Sequence, residues 1–275
     1  MKKEIVMMFS TVLAVATVGV ASCHVSAAEM DYDTSLQTTD SCYLYYMSPD
    51  VQHALNKVLG REKNQPFTTK QLENLTGTLD LSNQNISDLR GLEYCKNVTG
   101  LDLSNNYLRT GFNSTTSVLK KMPQLKYLNL EGNSITDLHD LKNLVNLENV
   151  NISNQSYFEK SGFNKDNHFY MENPLKDVNN QTIDITNDDI YVRDGFNKEN
   201  YSINYDNTTK ELTWNYDPFD QQCFAKNPCQ PFVVFNKTIS IGKTTTNFNG
   251  YWFKTLDSSK WAEDLMKNRQ DATVL

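Results

Sequence analysis

Leu79-Asp-Leu81-Ser-Asn-Gln84-Asn-Ile86, Leu101-Asp-Leu103-Ser-Asn-Asn106-Tyr-Leu108, Leu128-Asn-Leu130-Glu-Gly-Asn133-Ser-Ile135 and Val150-Asn-Ile152-Ser-Asn-Gln155-Ser-Tyr157 decide the fold. They begin at 79, 101, 128 and 150, so the spacing is 22, 27 and 22 residues. The longer step is a 22-residue unit with a five-residue insertion inside Arg109 to Ser117, a stretch of Gly, Asn, Ser and Thr. Self-similarity at such a period marks an array of stacked units. In each apolar-x-apolar triplet the outer two residues point to one face of a short strand and the middle one to the other. Leu89 and Leu92, or Leu138 and Leu141, then turn the chain back beneath the strand. One coil cannot bury its own apolar face, whereas about three or more stacked coils can.

The L-x-L-x-x-N-x-L pattern is that of a leucine-rich repeat. Its Asn can hydrogen-bond neighbouring backbone inside the turn, where an unpaired amide costs free energy. Gln replaces it at 84 and 155, which predicts a weaker ladder there. Such a stack exposes apolar surface at both ends unless other units cover them. Upstream, Pro49 and Asp50 open a helix with Val51, Ala54, Leu55, Val58 and Leu59 on one face and Gly60 as its stop. Thr68-x-x-Gln71 resembles a capping box ahead of Leu72 and Leu75. Downstream the period becomes two, in Ile183 and Ile185, Ile190 and Val192, Leu212 and Trp214, Phe232 to Phe235, Ile239 and Ile241, and Phe248 and Trp252. Asp206-Asn207-Thr208-Thr209 reads as a hairpin turn between Tyr201–Tyr205 and Lys210–Tyr216. These short strands predict a small β-sandwich. Asp257 to Leu275 is a tail with one short helix around Trp261, Leu265 and Met266. The fold class is therefore an α/β leucine-rich-repeat solenoid of about four repeats, with a helical cap before it and an all-β unit after it.

Composition narrows the function. Apolar residues are 39% of the 275 and charged residues 21%, enough for packed cores and too mixed for wholesale disorder. The net charge of −7 argues against nucleic-acid binding, which needs concentrated positive charge, and against docking on an anionic membrane. Met1-Lys2-Lys3, the apolar run Ile5 to Ala21 and the small residues after it have the order of a secretory signal. Val25-Ser26-Ala27 suits ordinary cleavage before Ala28, which is the preferred reading and predicts free secretion or surface display. Val20-Ala21-Ser22-Cys23 also resembles a lipobox, and Cys23 would then be acylated to give a membrane-anchored lipoprotein. Four cysteines lie beyond the signal, an even number that permits disulfides in an exported chain. Cys223 and Cys229 form the preferred pair, Cys42 with Cys95 the second, and four free thiols the alternative.

The helical cap, the 22-residue repeats with Ile86-Ser-Asp-Leu89 and Ile135-Thr-Asp-Leu138, and the trailing β-unit together resemble the internalin family of Gram-positive bacteria. Leu212-Thr-Trp214, Thr238-Ile-Ser-Ile-Gly-Lys243 and Thr246-x-Phe248-x-Gly250 are similar to the immunoglobulin-like domain fused to internalin repeats. The resemblance covers roughly residues 48–256 and implies a rigid curved rod whose concave face contacts another protein. On this reading the chain divides into a signal peptide (1–27), a flexible N-terminal segment (28–47), a helical cap (48–77), repeats (78–178), an immunoglobulin-like β-domain (179–256) and a tail (257–275).

Strand positions that cannot point into the core form the candidate ligand-binding face: Asp80 and Ser82, Asp102 and Ser104, Tyr127, Asn129 and Glu131, then Asn149, Asn151 and Ser153. Small and acidic residues with one Tyr suit a basic or polar protein partner on a host or neighbouring cell, and the alternatives are cell-wall glycan or a solvated face. Arg109 and Phe112 in the inserted loop, and Tyr43, Tyr45 and Tyr46 upstream, are secondary candidates. No nucleophile elbow, zinc-protease, P-loop or dinucleotide motif is present, so a hydrolase is the weakest reading, and no catalytic residue, cofactor or metal is assigned. His53 and His139 have no evident nucleophile beside them, and Asp188, Asp189 and Asp194 lack the spacing of a calcium loop. The chain is expected to act as a monomer.

Overall fold

Each of the four repeats supplies a strand to one sheet: β1 (Thr76–Asp80), β2 (Asn97–Asp102), β3 (Tyr127–Asn129) and the first part of β4 (Asn149–Ser161). This arrangement comes from a computed structural model that describes residues 44, 46–110, 115–161, 168–191, 201–216 and 232–256. Neighbouring strands are parallel, with Leu79, Leu101, Leu128 and Val150 in register, as a leucine-rich-repeat stack requires. Leu81, Ile86, Leu89, Leu92, Leu101, Leu103, Leu108, Leu128, Leu130, Leu138 and Ile152 are buried in one continuous core. At about 1.5–3 kcal/mol for each fully buried aliphatic side chain, this shared interior is the main force holding the coils together. Tight 3₁₀ turns at Leu92–Tyr94, Thr115–Lys121 and His139–Asn143 return the chain along the opposite side.

The turn amides join successive coils. Asn106 accepts from Gln84 N and Ile86 N and donates to the carbonyls of Leu81 and Leu103, at 2.9–3.1 Å. Asn133 accepts from Leu108 N and donates to Leu103 and Leu130. Gln155 corrects the expectation of a weak rung. It is fully buried, accepts from Ile135 N at 2.9 Å, and donates to the Leu130 carbonyl at 2.9 Å. Its extra methylene lets the amide reach the same groups from a backbone that continues as strand. Gln84 has no earlier coil to serve and instead accepts from Lys57 Nζ at 3.1 Å.

That lysine belongs to α1 (Pro49–Val58), which has Pro in its first turn and Gly60 in the left-handed region just past its end. Val51, Ala54 and Leu55 join the repeat core, and Asp50 accepts from the Ser87 N–H and hydroxyl. In α2 (Thr69–Glu73) the capping box is formed, with Thr68 Oγ1 accepting from Gln71 N and Gln71 Oε1 accepting from Thr68 N.

The C-terminal strands are β5 (His168–Glu172), β6 (Ile190–Tyr191), β7 (Tyr201–Asp206), β8 (Glu211–Tyr216), β9 (Phe232–Ile241) and β10 (Thr244–Leu256). They do not all form a separate unit. β10 lies parallel to β4, so one sheet runs β1-β2-β3-β4-β10-β9-β6, while β5-β8-β7 form a second. The β7–β8 hairpin turns where expected, with Asp206 accepting from Thr208 N and Thr209 N. Ile183 and Ile185 are not in a strand. The backbone of Ile183 is engaged by Leu175 O and by the Asn173 amide, leaving only a bridge at Thr182. Cys95 is a free thiol buried in the first-repeat core, so the expected tie to Cys42 is not made. Burial, then the charge of Glu93, pushes its pKa up to about 12, which keeps it protonated and inert. Cys23, Cys42, Cys223, Cys229, Phe112, Tyr43 and Tyr45 lie outside the described residues.

Two glycines permit the join to the repeats. A Cβ on Gly250 would overlap the Gln155 carbonyl oxygen, far inside van der Waals contact, and one on Gly242 would lie 2.7 Å from the Leu144 carbonyl oxygen. Asp189 ties β9 to the turn before β6 through Lys237 Nζ at 2.8 Å. Burial pushes its carboxyl upward, but Lys237 and the Thr186 N–H and hydroxyl outweigh that and hold its pKa below the usual value.

We expect Gly250→Ala to destabilise the chain by about 1–3 kcal/mol or more, and Gln155→Leu by on the order of 3 kcal/mol through orphaned backbone groups. Urea midpoints read both, and an unchanged midpoint in either would contradict the join or the rung it tests. The Asp189 contribution is present above the unfolded carboxylate pKa and lost as pH falls through the lowered folded value. Lys237→Met should therefore weaken the chain at neutral pH and converge on wild type in acid, whereas a pH-independent deficit would exclude this ion pair as the cause.

Candidate binding face

Strand alternation places three rows of side chains opposite the core. Thr78, Gly100, Tyr127 and Asn149 align in the first, and Asp80, Asp102, Asn129 and Asn151 in the second. Ser82, Ser104, Glu131 and Ser153 continue the pattern at the strand ends. Asp80 and Asn149 are exposed, Asp102, Tyr127, Asn129, Glu131 and Asn151 half-buried, and Ser104 buried. The structure thus brings all ten sequence-derived candidates onto one face.

Neutral donors orient the carboxylates. Asp102 Oδ1 accepts from the Ser104 N–H at 2.9 Å and hydroxyl at 2.7 Å. Its Oδ2 accepts from Asn129 Nδ2 at 3.0 Å and from the Tyr127 hydroxyl at 3.4 Å. Glu131 accepts from Asn151 Nδ2 at 2.9 Å and from Asn154 Nδ2 at 2.6 Å. The Ser82 hydroxyl, then its N–H, lowers the pKa of Asp80. Among the described residues no Lys or Arg forms an ion pair with Asp80, Asp102 or Glu131. Burial raises the Tyr127 phenol above the usual tyrosine value, and the adjacent Asp102 charge adds to this.

Asn154 was not among the sequence candidates. Its left-handed backbone turns its amide onto this face, and its N–H donates to Asn249 Oδ1 at 2.8 Å, linking the repeats to β10. Period-two reading of Phe248 and Trp252 does place Asn249 on the outer side of its strand, but nothing local signals that β4 is the partner.

The other candidates stand apart. Tyr46 is exposed, and Arg109 forms a backbone bridge with Ser134. His53 Nε2 lies 2.9 Å from Asn64 Oδ1, and His139 is flanked by Asp137 and Asp140. Asp189 is committed to Lys237 and Thr186. Among the described residues no group of three or more His, Cys, Asp or Glu is arranged to hold a metal ion.

Residues 63–155 match the family described as the leucine-rich-repeat domain of the endo-β-N-acetylglucosaminidase EndoS. The acidic leucine-rich nuclear phosphoprotein 32 family member A of Drosophila melanogaster is 38% identical over 73 residues, which are 26% of this chain and 26% of that protein. Among solved structures, the CBM51-2 and INT domains of Clostridium perfringens ZmpB align over 80% of this chain and 37% of that one, at 14% identity and a TM-score of 0.40. The functional domain of InlJ from Listeria monocytogenes aligns over 70% and 45%, at 15% identity and a TM-score of 0.37. The chain thus spans about a quarter of the curated relative and less than half of each of these solved chains. The stacked coils and the family match make this a leucine-rich-repeat protein.

Replacing Asp102 with Asn should bring the Tyr127 phenol part of the way down, because the charge is lost while the burial remains. A 13C-tyrosine NMR titration reads this directly, and an unmoved Tyr127 would contradict the Asp102–Tyr127 contact.

Proposed function

We propose that this is an exported, non-catalytic binding protein that recognises a protein ligand through the concave repeat face, on a host or neighbouring cell. The N-terminal helices serve as the cap of the stack, and the C-terminal strands as an immunoglobulin-like unit built onto its last coil. The observation that carries the reading is the face itself: Asp102 and Glu131 are fixed by neutral donors and lack an ion-pair partner among the described residues. Such groups are held in place and available to a basic side chain. Among the described residues no helix is long and apolar enough to cross a membrane, and either free release or anchoring through Cys23 is compatible with the proposal.

A second reading, a cell-envelope protein that binds glycan, is favoured by the carboxamides of Asn129, Asn149, Asn151 and Asn154 on the same surface. In pull-downs from surface-protein extracts, wild type should retain a ligand that a Tyr127→Ala/Glu131→Lys variant loses. Equal capture by both would refute the assigned face, and retention on purified cell wall alone would select the glycan reading.

A further inference from the structure

The seven-stranded sheet presents one outer surface that does not end at the last repeat. Trp252 and Phe248 on β10, and Val233 and Phe235 on β9, are fully buried, so the alternate residues point the other way. Among the described side chains, two of these are large, apolar and exposed. Tyr251 is 46% exposed and Val234 41% exposed, and they sit directly opposite each other in the β9–β10 ladder, with Ser156 beside Tyr251 on β4. Directly opposed side chains lie about 5 Å apart, so they form one patch. The chain of contacts from Glu131 to Asn154 to Asn249 joins this patch to the repeat face without interruption.

We propose that the recognition surface extends across β4 onto β10 and β9, and that its occupant is an extended protein segment carrying a basic side chain for the Asp102–Glu131 end and an aromatic or aliphatic side chain for Tyr251 and Val234. This rests on the protein-binding reading above and adds the chemistry of the partner. The charged groups on the surface among these residues are Asp80, Asp102 and Glu131, all acidic, which selects a cationic contact by complementarity. Tyr is among the residue types that concentrate binding energy in interfaces, and Tyr251 is well exposed beside Val234 and Ser156. The geometry fixes the length. Four strand steps from β2 to β9 span about 19 Å at ~4.8 Å each, and Asn151 to Ser156 along β4 adds about 15 Å. The diagonal is about 25 Å, which roughly seven extended residues cover. A neutral glycan could donate hydroxyls to the carboxylates and use the carboxamides, but it brings no cation to match their charge.

The probe is a phage-displayed library of random peptides about twelve residues long, selected on the full chain at low salt. Selected peptides, made synthetically, are then measured by titration against wild type, Asp102→Asn/Glu131→Gln, Tyr251→Ser/Val234→Thr and Val234→Lys, with thermal melts of each variant. The expected sequences combine Lys or Arg with an aromatic or aliphatic residue five to seven positions away. Their affinity should fall about tenfold in both double variants, fall in Val234→Lys even if Tyr251→Ser/Val234→Thr proves unstable, and weaken with salt. Loss confined to Asp102→Asn/Glu131→Gln would overturn the extension and leave the repeat-face reading standing. Peptides that ignore every variant, or a failure to select any while a glycan array binds, would overturn both.

Discussion

The rest of the structure depends on the pairing of buried turn backbone by side-chain amides that span two coils. A turn that folds back into an apolar interior takes its N–H and carbonyl groups out of water, and each orphan would cost about 1–3 kcal/mol. Asn106, Asn133 and Gln155 each hold groups of their own coil and of the one before it. No coil is therefore complete alone. Apolar burial drives the stacking, but it is indifferent to register. The amides set the register, and with it the alignment of the outer rows.

The two ends of this ladder are closed by different means. At the first coil, Gln84 reaches the Ser82 carbonyl and Lys57, and Asp50 holds Ser87, so α1 supplies polar partners along with apolar cover. At the last, β4 runs on past its turn and β10 pairs with it for eight residues, with a register shift at Phe248/Gly250. The β9–β10 turn seats against the final coil, where Lys243 N donates to the Leu147 carbonyl at 2.8 Å. Closure by sheet continuation leaves no step between the last repeat strand and β10.

The repeats, their inward leucines and the outward rows were legible because period and alternation are local properties. The α1 and α2 boundaries were legible for the same reason, through Pro49, Thr68, Gln71 and Gly60. The features that escaped were non-local. Gln155 looks like a broken rung until the backbone path that its longer arm serves is known. Cys95 reads as half of a disulfide by counting, whereas its position between Leu92 and Val98 puts it inside the coil. The alternation at Ile183 and Ile185 mimics a strand, but Asn173 and Leu175 claim the backbone of Ile183. The pairing of β4 with β10 bridges about 95 residues of chain, and no local pattern encodes the choice of such a partner.

The choice of neutral donors around the acidic groups bears on how such a surface could work. Had Lys stood where Asn129 or Asn151 stands, the carboxylates would be just as ordered but electrically quenched. Amides and hydroxyls immobilise Asp102 and Glu131 while leaving their charge intact, so the usual ordering cost of about 0.5–1.5 kcal/mol per side chain is already met before any partner arrives. The same network is tied by backbone to the apolar ladder beneath it, through Ser104 N to Asp102 and Glu131 N to Asn129. The orientation of the outer charges is thereby a consequence of the inner packing: a change of register in the core would displace the outer rows by one residue and turn leucines outward in place of the aspartates.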